Sequence, residues 1–329
     1  MYEEFFGLSE RPFDLTPSPK FMVPTESHRE ALRNLEYGIV SRKGITLMIG
    51  DAGTGKTTVI RTAIQKLPMH VHTVHVNNPT LSRPEFVQTL ATRFGLSDEA
   101  LRSKATMLDE LDRLLRQRSK LGETTVLIID EAQSLPLDLL EEIRLLANIE
   151  TDSEKLLSVI IAGQPELADR LNLQELRQLK QRVALRCELR PLTRIETEAY
   201  VAGRIRAAGG IGAQVFTREA VGLVHEAAKG LPRTINVIAD NALLGGFAAG
   251  RKPIGTDIVS DVCRDFDLVK ASGSPDEGSF AMMPGSRPQL RPMSPAEPEA
   301  RPAEDVESDD RPLLHSFTSK RKRFSFFWN

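Results

Sequence analysis

Cysteine is scarce in this sequence, and its scarcity excludes two kinds of protein. Only two cysteines occur among 329 residues, Cys187 and Cys263, and neither has a histidine or a second cysteine nearby. A disulfide framework or a zinc site requires more ligands at closer spacing. We therefore expect both thiols to be buried in a protein of the reducing cytoplasm.

Long hydrophobic runs and an excess of one charge are also missing. No apolar run approaches the length of about 18 residues that a membrane-spanning helix requires. The N-terminus, residues 1–6, is acidic and aromatic, unlike a secretory signal. With 43 basic and 45 acidic residues, the net charge is −2 and no overall field attracts nucleic acid or anionic lipid. A cytoplasmic protein is expected, in which any DNA or membrane contact uses a local patch.

The apolar residues that are present alternate between two patterns. They make up 40% of the chain, which is enough to bury a sizeable core. Short runs typical of buried strands alternate with longer amphipathic stretches, and these runs cover residues 45–49, 71–76, 126–129 and 156–162. The alternation predicts an α/β fold with a parallel sheet covered by helices. Before the sheet, helical spacing of apolar residues predicts a lead-in helix over 26–39.

Signals for helix starts replace the strand-like runs in the later part of the chain. Thr193 and Glu196 match a capping box, and Thr217 and Thr256 also precede helical runs. A small all-helical domain is therefore predicted after the sheet.

The composition changes again near residue 270. The remaining chain is rich in proline, carries an acidic cluster over 304–310, and ends in a basic run, 320–323, followed by aromatic residues. This composition predicts a disordered tail. Its basic and aromatic end is suited to an anionic membrane surface or to a partner protein, and plain disorder is the third alternative.

A phosphate-binding loop follows the first predicted strand. Residues 50–57 fit the pattern G-x-x-x-x-G-K-[ST], with a strand before and a helix after, as the pattern requires. Backbone N–H groups of such a loop surround phosphate oxygens at a helix N-terminus. Lys56 is expected to reach the β- and γ-phosphates of ATP, and Thr57 to ligate Mg²⁺. The candidate nucleotide-binding residues are Gly50, Asp51, Ala52, Gly53, Thr54, Gly55, Lys56, Thr57 and Thr58.

Two carboxylates end the third predicted strand. Asp130 and Glu131 follow the apolar run 126–129, as in a Walker B segment. Asp130 is expected to help hold Mg²⁺, and Glu131 to activate the attacking water as a general base. Taken alone, the pair also fits a solvated strand end or a helix cap. Together with the loop it predicts ATP hydrolysis.

Three further polar residues are candidates for contact with the nucleotide, two as sensors and one as an arginine that acts on a neighbouring subunit. Gln164 follows the fourth strand-like run, where ligands bind in open α/β sheets, or it is an ordinary capping amide. The basic cluster 177–182 precedes a short strand-like run, 186–189. The cluster includes Arg182 and supplies either an arginine that acts on a neighbouring subunit's nucleotide or a solvated helix face. Arg233 begins a helical run and suits a phosphate sensor or an exposed helix start.

The motifs in combination resemble those of the ExeA-like AAA+ ATPases. The resemblance covers about residues 1–266 and depends on the phosphate loop together with Phe5-Phe6-Gly7-Leu8, Arg11-Pro12-Phe13, Pro17, His28, Ile129-Asp130-Glu131-Ala132-Gln133, Ala162-Gly163-Gln164-Pro165-Glu166-Leu167 and Leu231-Pro232-Arg233. This family includes the general secretion pathway A proteins of type II secretion and is related to ATPases of DNA transposition and replication initiation.

The resemblance implies a specific architecture and a role for each sensor. It implies a P-loop AAA+ parallel sheet sandwiched by helices, with the sensor strand between the two Walker strands, a small all-helical lid and nucleotide bound where subunits meet. Gln164 becomes the first sensor, Arg233 the second and Arg182 the arginine finger. The expected parts are an N-terminal aromatic segment with its lead-in helix (1–43), the core (44–191), the lid (192–269) and the disordered tail (270–329).

Three functions are compatible with these features. The first is an oligomeric ATPase that serves a secretion, pilus or polysaccharide-export apparatus in the cell envelope, with a protein partner there and peripheral contact at the inner membrane through the tail. The second is a DNA-associated ATPase of transposition or replication initiation, against which the slightly acidic charge argues. The third is a scaffold that binds ATP and barely hydrolyses it. ATP is expected rather than GTP, because the sequence contains no Asn-Lys-x-Asp motif of the kind that recognises guanine.

Overall fold

A computed structural model describes residues 1–16, 18–76 and 81–268. The predictions made for the tail, including its disorder and its membrane contact, lie outside the described residues. Within the described part, no helix is both long enough and apolar enough to cross a bilayer.

Five parallel strands form one sheet. The strands are β1 (Ile45–Gly50), β2 (Val71–Val76), β3 (Thr124–Ile129), β4 (Leu157–Gly163) and β5 (Val183–Leu189). Their order across the sheet is β2-β3-β4-β1-β5, and every pair of neighbours is parallel. The strand that precedes Gln164, β4, therefore lies between the loop-bearing β1 and the carboxylate-bearing β3, which is the order that the resemblance implied.

Helices cover both faces of the sheet and continue beyond it. The helices are α1 (Tyr2–Phe6), α2 (Glu26–Val40), α3 (Lys56–Lys66), α4 (Arg83–Phe94), α5 (Asp98–Arg102), α6 (Lys104–Lys120), α7 (Leu137–Leu146), α8 (Pro165–Arg170), α9 (Arg177–Arg182), α10 (Arg194–Ala207), α11 (Gly212–Val215), α12 (Arg218–Ala228), α13 (Pro232–Ala248) and α14 (Thr256–Asp265).

The two faces of the sheet bury two separate apolar clusters. On β1, Leu47 belongs to the cluster shared with α4–α9, whereas Met48 belongs to the cluster shared with α2 and α3. Consecutive side chains of a strand point to opposite faces, so a strand covered on both faces is predominantly apolar. Every residue of β1, β3 and β4 is buried, which explains why these strands could be located from continuous apolar runs.

The strand β5 is longer than the short run that predicted it. Only residues 186–189 read as a strand in the sequence, but β5 begins at Val183. It is an edge strand, and its residues alternate between exposed and buried, with Arg186 and Glu188 exposed. Charged residues are tolerated on the open face of an edge strand, so the apolar pattern is interrupted there.

The predicted helix starts of the lid, α10–α14, are present. Thr193 caps α10 in a capping box, with its backbone N–H 2.9 Å from a Glu196 carboxylate oxygen. The Thr217 hydroxyl accepts from the Ala220 N–H at the start of α12. Thr256 is the first residue of α14, and Gly255 occupies the N-cap position before it. The third apolar cluster of the protein lies among these helices.

Residues of the N-terminal segment contribute to this lid cluster. Tyr2, Phe6 and Phe13 are each at most 2% exposed and pack among residues of α10, α12 and α13. The Tyr2 hydroxyl donates to Asp240 on α13. The chain thus begins in the lid, continues to α2 and only then enters the sheet.

The domain boundaries predicted at residues 43, 191 and 269 stay predictions. Cys187 and Cys263 are both buried, as expected.

Candidate nucleotide site

The phosphate loop turns sharply at the end of β1 because two of its glycines adopt positive φ. The φ angle is 84° at Gly53 and 98° at Gly55, in the region that favours glycine. A Cβ atom on Gly53 would also lie 2.8 Å from the Cβ of Arg233. The loop closes on itself, since both the N–H and the hydroxyl of Thr54 donate to the Asp51 carbonyl, at 3.2 and 2.8 Å. The loop conformation therefore depends on the glycine positions of the motif.

Lys56 is held inside this loop. Its side chain is buried, and Nζ donates to the carbonyls of Gly50 and Asp51 at 2.7 and 3.1 Å. Burial lowers the pKa of Lys56, while the nearby carboxylates of Glu131 and Asp130 act in the opposite direction. An ammonium group has further donor capacity beyond two bonds. The loop thus places a positive charge at its centre, where an anionic phosphate would be stabilised.

The hydroxyl and carboxylate predicted to bind a divalent cation are in contact. Thr57 Oγ1 donates to Asp130 Oδ2 at 2.7 Å, and the other oxygen of Asp130 accepts from the Glu131 N–H at 3.0 Å. Asp130 is buried, 8% exposed. Hydroxyl and carboxylate oxygens are the ligands that Mg²⁺ prefers in proteins, so this pair fits the predicted cation.

Glu131 lies at the carboxyl end of β3 in an unusual backbone conformation. Its φ and ψ are 56° and 36°, the left-handed region that non-glycine residues rarely adopt. Its side chain is exposed and lines the cavity beside the loop. The Glu131 carboxylate therefore lines the same cavity as Lys56 and Thr57.

The two predicted sensors and the predicted arginine finger occupy different surroundings. Arg233 lines the cavity, and its backbone N–H donates to the Gly53 carbonyl at 3.2 Å. The start of α13 therefore contacts the phosphate loop. Gln164 is the residue before α8, and its backbone N–H contacts Gln133. Arg182 is the exposed last residue of α9. Among the described residues, the cavity lining includes Arg233 but neither Gln164 nor Arg182.

A cavity of about 390 Å³ extends from the loop to the lid. Its size lies within the range of about 300–1,000 Å³ that is typical of small-molecule sites. One wall belongs to a segment that we call the strap, residues 14–16 and 18–23, which connects the lid cluster to α2. The strap residues that line the cavity are Asp14, Leu15, Thr16, Ser18, Phe21, Met22 and Val23.

Arg204 of α10 anchors the strap. It is 7% exposed, and its guanidinium donates to the carbonyls of Pro12 and Asp14 at 2.5 and 3.3 Å and to the Tyr200 hydroxyl at 2.7 Å. The same group lies 5.2 Å from the ring centre of Phe21, within cation–π distance. Arg204 itself also lines the cavity. This one side chain of the lid therefore contacts both the strap and the cavity.

His28 connects α2 to the phosphate loop. Its Nε2 lies 3.1 Å from the Thr54 carbonyl, and its Nδ1 lies 2.6 Å from the Thr25 hydroxyl. Burial lowers the pKa of His28, so the neutral ring is favoured near pH 7. A neutral ring with its proton on Nε2 donates to Thr54 and accepts from Thr25. His28 therefore restrains the loop at Thr54, next to the Gly53 carbonyl that Arg233 contacts.

Comparison with known proteins agrees with these features. An AAA-domain family matches residues 39–171. General secretion pathway protein A of Aeromonas hydrophila is 37% identical over 286 residues, which is 87% of this chain and 52% of that protein. The chain belongs to the ExeA-like AAA+ ATPases. It spans about half the length of this Aeromonas relative.

Two further comparisons extend the range of relatives of this ExeA-like chain. The Mu-like prophage FluMu DNA transposition protein B of Haemophilus influenzae is 27% identical over 191 residues, 56% of this chain and 62% of that protein. The solved structure of the Aeropyrum pernix ORC2 protein matches with a TM-score of 0.60 over 78% of this chain and 72% of that one. At 16% identity, the likeness to ORC2 establishes the shared fold alone.

For several residues of the site, the sequence does not reveal the contacts that they make. Arg204, Tyr200 and the strap lie far from the loop in sequence, and nothing in their spacing indicates that they share its cavity. His28 and Gln133 occur in the sequence motifs of the ExeA-like family, but their hydrogen-bond partners become evident only when the elements are packed together. For Gln133, the sequence signals are its membership of the family motif 129–133 and its position two residues after Glu131.

Proposed function

We propose that this chain binds ATP with Mg²⁺ in the cavity beside the phosphate loop and hydrolyses it to ADP and phosphate. The observation that carries the proposal is the convergence of Lys56, Thr57, Asp130 and Glu131 around one loop, with Lys56 buried and Thr57 bonded to Asp130. Membership of an ATPase family supports nucleotide binding as the common property of such a site.

Each residue then has a chemical task. Residues 50–58 hold the phosphates through backbone N–H groups, and Lys56 offsets their negative charge. Thr57 and Asp130 would hold Mg²⁺, which would add positive charge beside the phosphoryl group in transfer. Glu131 orients a water molecule and takes its proton, so that the water oxygen bonds to the γ-phosphorus as the bond to ADP breaks. Arg233 senses the phosphates from the lid, and Gln164, as the first sensor, orients the attacking water or the γ-phosphate.

The strap forms the nucleoside side of the same cavity. The guanidinium of Arg204 fixes the start of the strap there, because it donates to the carbonyl of Asp14 and to that of Pro12, just before the strap. Arg204→Lys keeps the charge but loses the planar donor geometry, so we expect ATP affinity to fall about tenfold, about 1.4 kcal/mol. Titration calorimetry with ATP measures this change, with the exposed neighbour Arg206→Lys as the matched control. An unchanged Kd in a folded Arg204→Lys protein would exclude the strap from the binding site.

The proposed assembly is a homo-oligomer in which Arg182 reaches the nucleotide of a neighbouring subunit. Its exposed position at the end of α9 makes it available to a second copy. We expect specific ATPase activity to rise with protein concentration and Arg182→Ala to lose at least about 100-fold in turnover while still binding ATP. The exposed Arg113 of α6, changed to alanine, is the control. Activity independent of concentration, together with a silent Arg182→Ala, would contradict the shared site.

For the cellular role, we propose an ATPase of the cell envelope that works on the cytoplasmic side of the inner membrane with a protein partner. The support is the name of the Aeromonas relative, a general secretion pathway protein. Co-sedimentation with anionic liposomes, comparing the full chain with one that ends before Lys320, tests the peripheral membrane contact. Equal partitioning of the two proteins would remove that contact from the proposal.

The second candidate is a DNA-associated ATPase. It is favoured by the similarity to the Haemophilus DNA transposition protein B. Fluorescence anisotropy with duplex DNA at increasing salt distinguishes the two roles, since phosphate contacts weaken steeply as counterions are added. Tight binding that is lost with salt would favour the DNA role over the envelope role.

A further inference from the structure

Gln133 lies on a short 3₁₀ turn, Ala132–Ser134, directly after the proposed general base. Its Nε2 donates to Glu131 Oε2 at 2.6 Å, and its Oε1 accepts from the Gln164 N–H at 3.1 Å. We propose that Gln133 is a positioning residue, which holds the Glu131 carboxylate in the orientation that activates water. This inference rests on the hydrolytic function proposed above and assigns a specific residue to it.

The Glu131 side chain needs such a partner. It is exposed, and a free glutamate would distribute among several rotamers, at a cost in entropy when one of them is required. The bond from Gln133 occupies one carboxylate oxygen, Oε2. The other oxygen, Oε1, has no hydrogen-bond partner among the described residues, and Glu131 lines the cavity. One oxygen is therefore fixed and the second is available to a water molecule.

The orientation of the Gln133 amide follows from its surroundings. The Gln164 N–H is a donor, so the amide must turn its oxygen towards Gln164 and its NH₂ group towards Glu131. Gly163 leaves room for this arrangement, since a Cβ there would lie 3.0 Å from Gln133 Oε1. Arg170 of α8 also donates to the Gln133 carbonyl at 2.6 Å, which fixes the turn. The orientation in which Gln133 donates to Glu131 is thus set by Gly163, Gln164 and Arg170.

Gln133 completes a continuous chain of hydrogen bonds across the site. Thr57 donates to Asp130, Asp130 accepts from the Glu131 N–H, and Glu131 accepts from Gln133. Gln133 then accepts from Gln164 at the end of β4. The position of the Glu131 carboxylate is therefore connected both to the phosphate loop and to the strand that separates the two Walker strands.

The replacement Gln133→Met tests this role because methionine has a similar shape and no amide. Gln133 is not among the described residues that line the cavity, so ATP affinity should stay within about twofold of the parent. Loss of positioning should lower the rate of a single turnover at saturating ATP by between about tenfold and about 100-fold. Gln133→Glu keeps the size of the side chain and places a second carboxylate against Glu131, so its rate should fall at least as far.

The experiment uses the full chain and four proteins: the parent, Gln133→Met, Gln133→Glu and the control Gln88→Met, which alters an exposed glutamine of α4. Calorimetry gives the Kd for ATP, rapid quench gives the single-turnover rate, and thermal melting checks the fold. The expected result is a slow rate with an unchanged Kd in both Gln133 variants and parental values in the control.

Three results would overturn the inference. A parental rate in Gln133→Met would show that the hydrogen bond is not needed, and a faster rate would mean that Gln133 restrains Glu131 rather than positions it. A Kd that weakens in proportion to the rate in both variants would indicate a purely structural role. In each case an active parent leaves the proposed hydrolysis standing, whereas a parent without turnover would remove the proposed function and this inference together.

Discussion

Replacing Glu131 by glutamine is expected to leave ATP binding intact and to lower turnover by at least about 100-fold. Glutamine keeps the shape of the side chain but does not accept a proton from water. The Asp130–Thr57 pair and the Lys56 contacts are made by other groups and stay available to the nucleotide. Phosphate release at saturating ATP, measured together with the Kd, gives both quantities on the same protein.

The exposed glutamate Glu99 of α5 provides the matched control for this change. Glu99→Gln removes the same charge at a distance from the site and should behave as the parent. If Glu131→Gln hydrolyses ATP at the parental rate, Glu131 is not the general base, and the assignment of the second carboxylate at the end of β3 is wrong.

The second large effect is expected for Lys56→Met. Methionine fills a similar volume, but the buried ammonium and its bonds to Gly50 and Asp51 are lost. Truncating one member of a buried charge interaction typically costs about 2–5 kcal/mol, so ATP should bind on the order of 100-fold more weakly, about 2.8 kcal/mol. Calorimetry measures the affinity, and the loss of thermal stabilisation by ATP provides a second readout.

Lys66, at the opposite end of the same helix, is the control for Lys56. It is exposed, and its charge lies 4.0 Å from Glu36, an ion pair that contributes little in water. Lys66→Met should bind ATP as the parent does. Equal affinity in Lys56→Met and the parent would place the nucleotide outside the phosphate loop.

Much of the fold could be predicted from the sequence because the sheet is covered on both faces. The strands β1 to β4 fall within two residues of the runs that indicated them. For β1, β3 and β4 the reason is burial on both faces of the sheet, which makes most of their positions apolar. The edge strand β2 is only partly buried. Part of β5 was missed because this edge strand exposes alternate residues. The placement of Phe13 in the lid was also missed, because it depends on partners about 200 residues away, such as Arg204, and no local pattern encodes them.

The residues of the candidate site likewise include some that the sequence predicted and others that only the structure reveals. The phosphate loop and the Asp130–Glu131 pair follow from short motifs, because each requires particular residues at fixed spacing in one segment. The strap, Arg204 and Gln133 depend on contacts between segments, which spacing within one segment does not encode. Gln164 illustrates the limit of residue type as a guide, since the contact it makes with Gln133 comes from its backbone N–H and not from its side chain.

Catalytic phosphate release from ATP by the full chain tests the central claim most directly. Inorganic phosphate is followed with time at saturating ATP and Mg²⁺, and the Lys56→Met protein, purified identically, reports any contaminating activity. We predict many phosphates released per parent molecule and background release from the variant. If the parent binds ATP but releases no more phosphate than Lys56→Met, the chain is a nucleotide-gated scaffold and not an ATP-hydrolysing enzyme.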